Sequence, residues 1–235
     1  MSVYNAYMAL SGAIRGQVLR DEKLSRRTSY RIGGPADLVI RVDDYKALVK
    51  AVEVLERAFT ELGAKGAHFH PAKQGFHATD ACMDPLYDLC EQLGKPIYFD
   101  AGLSWEPNAP MEPNHPLSIE PAIMRHPNIK FCLAHFAWPW VREMVALMIK
   151  YPNAYTDTSV LYLDSPEESM ERLFKVDMGP LWFQRSFMNQ VMFASNTPRF
   201  RAFKIKRGIE ALGLPADALE AVLGGNALRF IGEGE

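Results

Sequence analysis

At 235 residues the chain is long enough to bury a substantial core, in one α/β domain or a small pair. Its residues are 48% hydrophobic and 23% charged, an ordinary globular balance. The formal net charge is −2, with no basic block or basic helix face, which argues against nucleic acid and anionic membrane as partners. Cys82, Cys90 and Cys132 are odd in number and lack C-x-x-C spacing, so reduced thiols of a cytoplasmic protein are expected rather than a disulfide framework. Tyr7–Ile14 is mildly apolar, lacks a basic flank and is too short to span a bilayer.

The first predicted strand is ADLVIRV (36–42). Asp43 and Asp44 then cap a helix, YKALVKAVEVLERAFTELG, whose apolar positions Leu48, Val52, Leu55, Phe59 and Leu62 make one face for packing on a sheet. The pattern repeats along the chain: strand AKGAHFH (64–70), helix DACMDPLYDLCEQLG, strand PIYFDAG (96–102), a Pro-rich loop, helix PLSIEPAIMRHP and strand IKFCLAHF (129–136). Helix VREMVALMIKYP, strand NAYTDTS (153–159) and strand QVMFASN (190–196) follow, with helices after Phe200 and Pro215.

Strand and helix alternating at intervals of about 30 residues is the βα unit of a parallel sheet or barrel, with helices outside. The strands so predicted fall short of the eight in a complete (β/α)₈ barrel, so the fold class expected is α/β, an incomplete TIM-like barrel. In such barrels the loops after the strands carry the site. His68, His70, Asp100, His135, Asp157, Ser195 and Asn196 all gather at those ends. Within GAHFHPAKQGFH (66–77), His68 and His70 are two apart and face one side of a strand, the barrel interior if Ala67 and Phe69 face the helices.

The stretches GAKGAHFHP, LGKPIYFDAG, HPNIKFCLAHFAWPW, YPNAYTDTS, VMFASNTP and GNALRFIG occur in an order that resembles the amidohydrolase superfamily, from about residue 58 to 232. The branch resembled includes metal-dependent decarboxylases and small-ring hydrolases. The resemblance implies a (β/α)₈ barrel with a divalent ion, Zn²⁺ or another, at the C-terminal strand ends, where the metal turns bound water into a nucleophile. It also implies a small-molecule substrate.

Position by position the transfer is incomplete. Asp100 stands where the family has its fifth-strand His, and His135 retains the sixth-strand His. Ala194-Ser195-Asn196 replaces Gly-Ser-Asp, putting an amide with essentially no basicity where a carboxylate handles the proton. The catalytic positions are therefore held by His135, Asp100 and Asn196. No first-strand His-x-His is found, and the flanks of His68-x-His70 match the family's fourth strand.

The earlier segment RGQVLRDEKLSRRTSYRIGGPADLVIRVDDYKALVKAVEVL (15–55), above all TSYRIGGPADL (28–38), resembles the start of UDP-N-acetylenolpyruvoylglucosamine reductase, a flavin enzyme. The Gly-rich loop that cradles the FAD pyrophosphate in that family is missing, so FAD is not expected and a reductase fragment is the weakest functional reading. Two segments are expected, 1–57 and 58–235, joined inside the helix around Val54–Glu61.

Two readings of the strand ends stand side by side. His68, His70, Asp100 and His135 form a rewired metal site, three imidazoles and a carboxylate suited to a tetrahedral ion, or they are a hydrogen-bonded polar rim. His77, Lys73 and Trp138 are the expected substrate-facing residues, and loop 104–116 a lid or an ordinary connection. The function expected is a hydrolase or decarboxylase of a small carboxylated or cyclic substrate, with a non-catalytic binding or scaffold protein as the alternative. An open barrel leaves unpaired strand edges, so either self-association or strand 36–42 filling the gap is expected.

Overall fold

The computed structural model of the protein describes residues 45–159, 165–197 and 199–233. The expected strand 36–42, its Asp43/Asp44 cap and the motif at 28–38 lie outside the described residues. Helix α1 (Tyr45–Thr60) forms as its periodicity predicts and contains the start of the expected join. Ala51, Leu55, Ala58 and Phe59 are buried against the core, with Val52 packed beside them.

Five strands follow: β1 (Ala67–Phe69), β2 (Ile97–Phe99), β3 (Phe131–Leu133), β4 (Ala154–Asp157) and β5 (Val191–Met192). They pair in parallel in sequence order, β1-β2-β3-β4-β5. Between them lie α2 (Asp84–Gln92), α3 (Pro116–Arg125) and α4 (Val141–Lys150). α5 (Pro166–Glu171) starts where the Ser165 hydroxyl accepts the Glu168 N–H, 3.1 Å, and then widens into π-type turns over Arg172–Asp177. The sequence rhythm had not marked this helical stretch. α6 (Ala202–Glu210) packs on α5, with Gly208 set against the Pro166 carbonyl.

Alternation along the strands separates two faces. Ala67, Phe69, Ile97, Phe99, Phe131 and Leu133 are buried in the main core beneath the helices. His68, Tyr98, Cys132 and Tyr155 are register partners in one row across β1–β4. The last helix, α7 (Asn226–Phe230), packs on the face that Cys132 presents, its Phe230 ring 5.2 Å from Tyr155. Lys130, just before β3, donates to the Arg229 carbonyl, which sets α7 at the N-terminal ends of the strands. The Asn226 side-chain amide fixes it there by donating to the Met188 and Val191 carbonyls, 2.6 Å each. The architecture is an incomplete (β/α)₈ barrel with helices outside.

β3 stops at Leu133, three residues before the end its sequence suggested. His135, Phe136 and Ala137 adopt left-handed backbone angles (φ 62°, 49° and 49°) and turn the chain sharply across the strand ends. The loop after β2 is pinned to this turn: Leu103 N–H donates to the Trp138 carbonyl, 2.8 Å, and Gly102 lies flat beneath it at φ 85°.

A methyl group on Gly102 would collide with the Trp138 carbonyl oxygen and sit 2.8 Å from the Ala137 carbonyl carbon. Gly102→Ala is expected to cost about 2–5 kcal/mol, summing overpacking and left-handed strain. Gly75→Ala, at φ 75° with nothing within 4 Å, should cost only about 1 kcal/mol. Urea unfolding of both variants checks the contrast.

Candidate active site at the strand ends

Three successive strand ends converge on one carboxylate. Asp100 follows β2, and its N–H is held by the Phe69 carbonyl of β1, 2.8 Å. One carboxylate oxygen lies 3.1 Å from His70 Nδ1, just beyond β1, and the other 2.9 Å from His135 Nε2, just beyond β3. The three side chains are 11–20% exposed. His68 extends the cluster, its ring 4.4 Å from His70 and 4.7 Å edge-on to Tyr98.

His135 is held from its other side as well. Its Nδ1 faces the Ser159 hydroxyl at 2.6 Å and the Ser159 carbonyl at 3.3 Å. Asp157 at the end of β4 accepts the His135 N–H at 3.1 Å and the Ser159 N–H at 2.9 Å, and the Ser159 hydroxyl donates to it too. Tyr98 reaches over β3 from β2 and donates its phenol to the other Asp157 oxygen. Period-two spacing puts Tyr98 and Asp100 on the same face, as it does His68 and His70.

Burial alone would push the Asp100 pKa up, but the charge and hydrogen bonds of His70 and His135 outweigh it and hold this carboxyl far below the ordinary carboxylate range. For His135, burial opposes protonation. The hydrogen bond and charge of Asp100, with the charge of Asp157 and the Ser159 carbonyl, overcome that and raise its pKa. Burial and then Asp157 raise the Tyr98 phenol. Both His135 ring nitrogens face oxygen, the arrangement of a doubly protonated ring.

The resemblance implies a divalent ion, and the donors present do not fit one. Among the described residues no group of three or more His, Cys, Asp or Glu is arranged to hold a metal. The Asp100 oxygens each face an imidazole, and His135 Nδ1 faces Ser159, so Asp100 and His135 are directed at their neighbours rather than at a common centre.

The structure thus brings together His68, His70, Asp100 and His135 of the expected residues. Asn196 lies past β5 at φ 57°, its carbonyl accepting the Arg199 N–H. Lys73 pairs with Glu106 at 3.6 Å, His77 with Glu112 at 3.3 Å, and Trp138 is 36% exposed. Sequence reasoning passed over Tyr98 and Ser159. Tyr98 was detectable as the residue two before Asp100 on the same strand face, whereas Ser159 in TDTS carries no spacing that marks it.

Residues 25–232 match the model of a protein family described as amidohydrolase. A segment of 53 residues is 49% identical to UDP-N-acetylenolpyruvoylglucosamine reductase of Anaeromyxobacter sp. (strain Fw109-5), covering 21% of this chain and 17% of that enzyme. Among solved structures, an uncharacterized TIM-barrel protein from Bordetella bronchiseptica superposes with a TM-score of 0.65 at 23% identity, over 83% of this chain and 65% of that one. A dihydroxybenzoic acid decarboxylase from Polaromonas sp. JS666, solved with manganese and the inhibitor 2-nitroresorcinol, superposes at 0.57 with 16% identity, over 79% and 66%. The chain therefore spans slightly under two thirds of the Bordetella protein. Among the described residues no helix is long and apolar enough to cross a membrane.

The raised His135 pKa has a definite consequence for stability. A folded pKa above the unfolded value of about 6.5 contributes stability that is whole below that pH and is lost as pH rises through the folded value. Asp100→Asn removes the main cause, so its destabilisation, about 3 kcal/mol at pH 6, should shrink toward pH 9. Urea unfolding across that range, with the His135 ring followed by NMR, checks both the slope and a lower His135 midpoint in the variant.

Proposed function

The chain belongs to the amidohydrolase family, and on that premise we propose that its strand ends form a rewired active site, a hydrolase or decarboxylase of small carboxylated or cyclic substrates. His135 moves the proton, and Asp100, gripped also by His70, keeps that imidazole charged and oriented. The observation that carries this reading is the Asp100 carboxylate bridging His70 and His135 at 3.1 and 2.9 Å.

The chemistry needs a proton at one atom in either case. Loss of carbon dioxide leaves an electron pair on a carbon; opening a cyclic amide adds water to the carbonyl carbon, with that water's proton passing to solvent, and leaves the pair of the broken C–N bond on nitrogen. An imidazole whose pKa is raised by adjacent carboxylates holds its proton more firmly than an ordinary one and is placed to supply it, an effect of about 10²–10⁴ in rate. Lys73, His77 and Trp138 are proposed to face the substrate from the segments that follow β1 and β3. The aromatic acid in the name of the Polaromonas decarboxylase is the substrate class adopted for testing.

Zn²⁺ or another divalent ion is given no step here, because Asp100 and His135 are turned toward their neighbours. Flavin is given none either, since the reductase match spans 17% of that enzyme. A non-catalytic binding protein is the second reading. It is favoured by Asn196, an amide without basicity at the end of β5, and by the engagement of both His135 nitrogens within the protein.

Carbon dioxide release from dihydroxybenzoates and hydrolysis of small cyclic amides separate the two. The catalytic reading expects turnover that falls about 100-fold or more in His135→Ala and Asp100→Asn. Turnover absent from the wild type and appearing only in Asn196→Asp would instead establish the binding protein. Dialysis against chelator is expected to leave turnover and thermal unfolding unchanged. A divalent ion at near-unit stoichiometry, lost in His135→Ala, would return the site to metal chemistry.

A further inference from the structure

Two consecutive residues of the loop after β2 hold cations from opposite edges of the sheet. Trp105 lays its ring under the Arg199 guanidinium, 4.4 Å from centroid to Cζ, and Arg199 also lies over Phe200 at 5.6 Å. Glu106 pairs with Lys73 at 3.6 Å. Lys73 follows β1 and Arg199 follows β5, the two edge strands of the sheet. In a flat sheet those edges would stand about 19 Å apart, four spacings of about 4.8 Å. Adjacent residues have Cα atoms only about 3.8 Å apart, so in the curled sheet one short piece of loop reaches side chains that follow both edge strands.

The two cations are not equivalent. Lys73 has Glu106 as its counter-charge. Arg199 makes no ion pair among the described residues; its partners are aromatic faces, which orient the guanidinium plane and leave its N–H edge available. Trp105 is 52% exposed, so the ring that carries Arg199 also has area to offer a ligand. The same loop is anchored two residues earlier, where Leu103 N–H bonds the Trp138 carbonyl beyond His135. Two residues of chain span at most about 7 Å, so this platform adjoins the His135 turn.

We infer that Arg199, stacked on Trp105, is the carboxylate-recognition residue of the mouth, taking a small aromatic acid with its carboxylate on the guanidinium edge and its ring beside the Trp105 indole. Planar guanidinium binds carboxylate in a two-point fork, and a face already held by an aromatic ring loses little freedom on binding. This assignment deepens the proposed function and rests on its reading of a small carboxylated substrate, but it concerns binding and needs no turnover.

The test is an NMR titration of the full chain with benzoate and with benzamide, its uncharged near-isostere, reading the Trp105 indole N–H identified by its loss in Trp105→Phe. Benzoate is expected to shift that resonance, and Arg199→Met to weaken benzoate at least tenfold while leaving benzamide unchanged. Arg199→Lys, a point charge without the fork, should fall between. Raising salt from 0.05 to 0.5 M should weaken benzoate alone in the wild type, which tests the charge even if Arg199→Met fails to fold. The assignment is overturned if benzoate leaves Trp105 unmoved, if Arg199→Met binds benzoate within twofold of wild type, or if benzamide is weakened equally. Loss of turnover in His135→Ala with benzoate binding intact leaves it standing. The converse, turnover that depends on His135 without Arg199-dependent binding, sinks this assignment and spares the acid–base site.

Discussion

A single carboxylate between two imidazoles organises the upper end of this protein. Asp100 joins three successive strand ends, with His70 on one side and His135 on the other, and its own N–H is held by the Phe69 carbonyl. Each of the three side chains is mostly buried, where an unpartnered charge would be costly. The site and the local fold are therefore the same object: the strands deliver the polar groups, and the polar groups fix how the strand ends meet. Tyr98 adds a tie over β3 to Asp157, so the cluster reaches four of the five strands.

One row of side chains crosses the inner face of the sheet beneath that cluster. His68, Tyr98, Cys132 and Tyr155 are register partners, and the α7 residues Ala227 and Phe230 close over the part of that face near the N-terminal ends. The opposite face carries Phe69, Ile97, Phe99, Phe131 and Leu133 into the helix layer. Apolar matter thus fills one end and the outside, while the buried carboxylate–imidazole cluster lies at the other end. Segregation of this kind allows five parallel strands to act as the larger part of a barrel mouth. The contacts of Trp105 and Glu106 with both sheet edges show how far the curl has gone.

Much of this was legible in the residues. The β-strands and the amphipathic helices follow from periodicity, and the side-by-side placement of His68 and His70 follows from the two-residue repeat. The likeness of GAKGAHFHP through GNALRFIG to amidohydrolases agrees with the family match over 25–232. What periodicity could not carry was the end of β3. Ala-His-Phe reads as a continuing strand, because no glycine announces a left-handed turn. Long-range partners were equally hidden: Ser159 and Tyr98 join His135 only through the folded sheet, 24 and 37 residues away in sequence by subtraction of their numbers. The segment 166–187 went unmarked because its helical turns widen to π geometry and blur the 3.6-residue stripe.

The turn at His135–Ala137 shows how the cluster bears on function. Three non-glycine residues at positive φ cost about 1–2 kcal/mol each in the absence of compensation. Compensation is visible at every point: Asp157 takes the His135 N–H, the His135 carbonyl takes the Trp138 N–H, and the Trp138 carbonyl takes Leu103 N–H over the flat back of Gly102. A regular strand through these residues would continue past the sheet and carry His135 away from the strand ends. The left-handed path turns its imidazole back between Asp100 and Ser159 instead. Strain in the backbone and charge on the ring are in this sense coupled, since Asp157, one of the carboxylates that raise the His135 pKa, also accepts the N–H at the start of the turn. Of this turn Asp100 meets the ring alone, so a change that neutralises it removes an anchor of the imidazole together with the charge that favours its proton, and the two effects must be separated by reading structure and titration together.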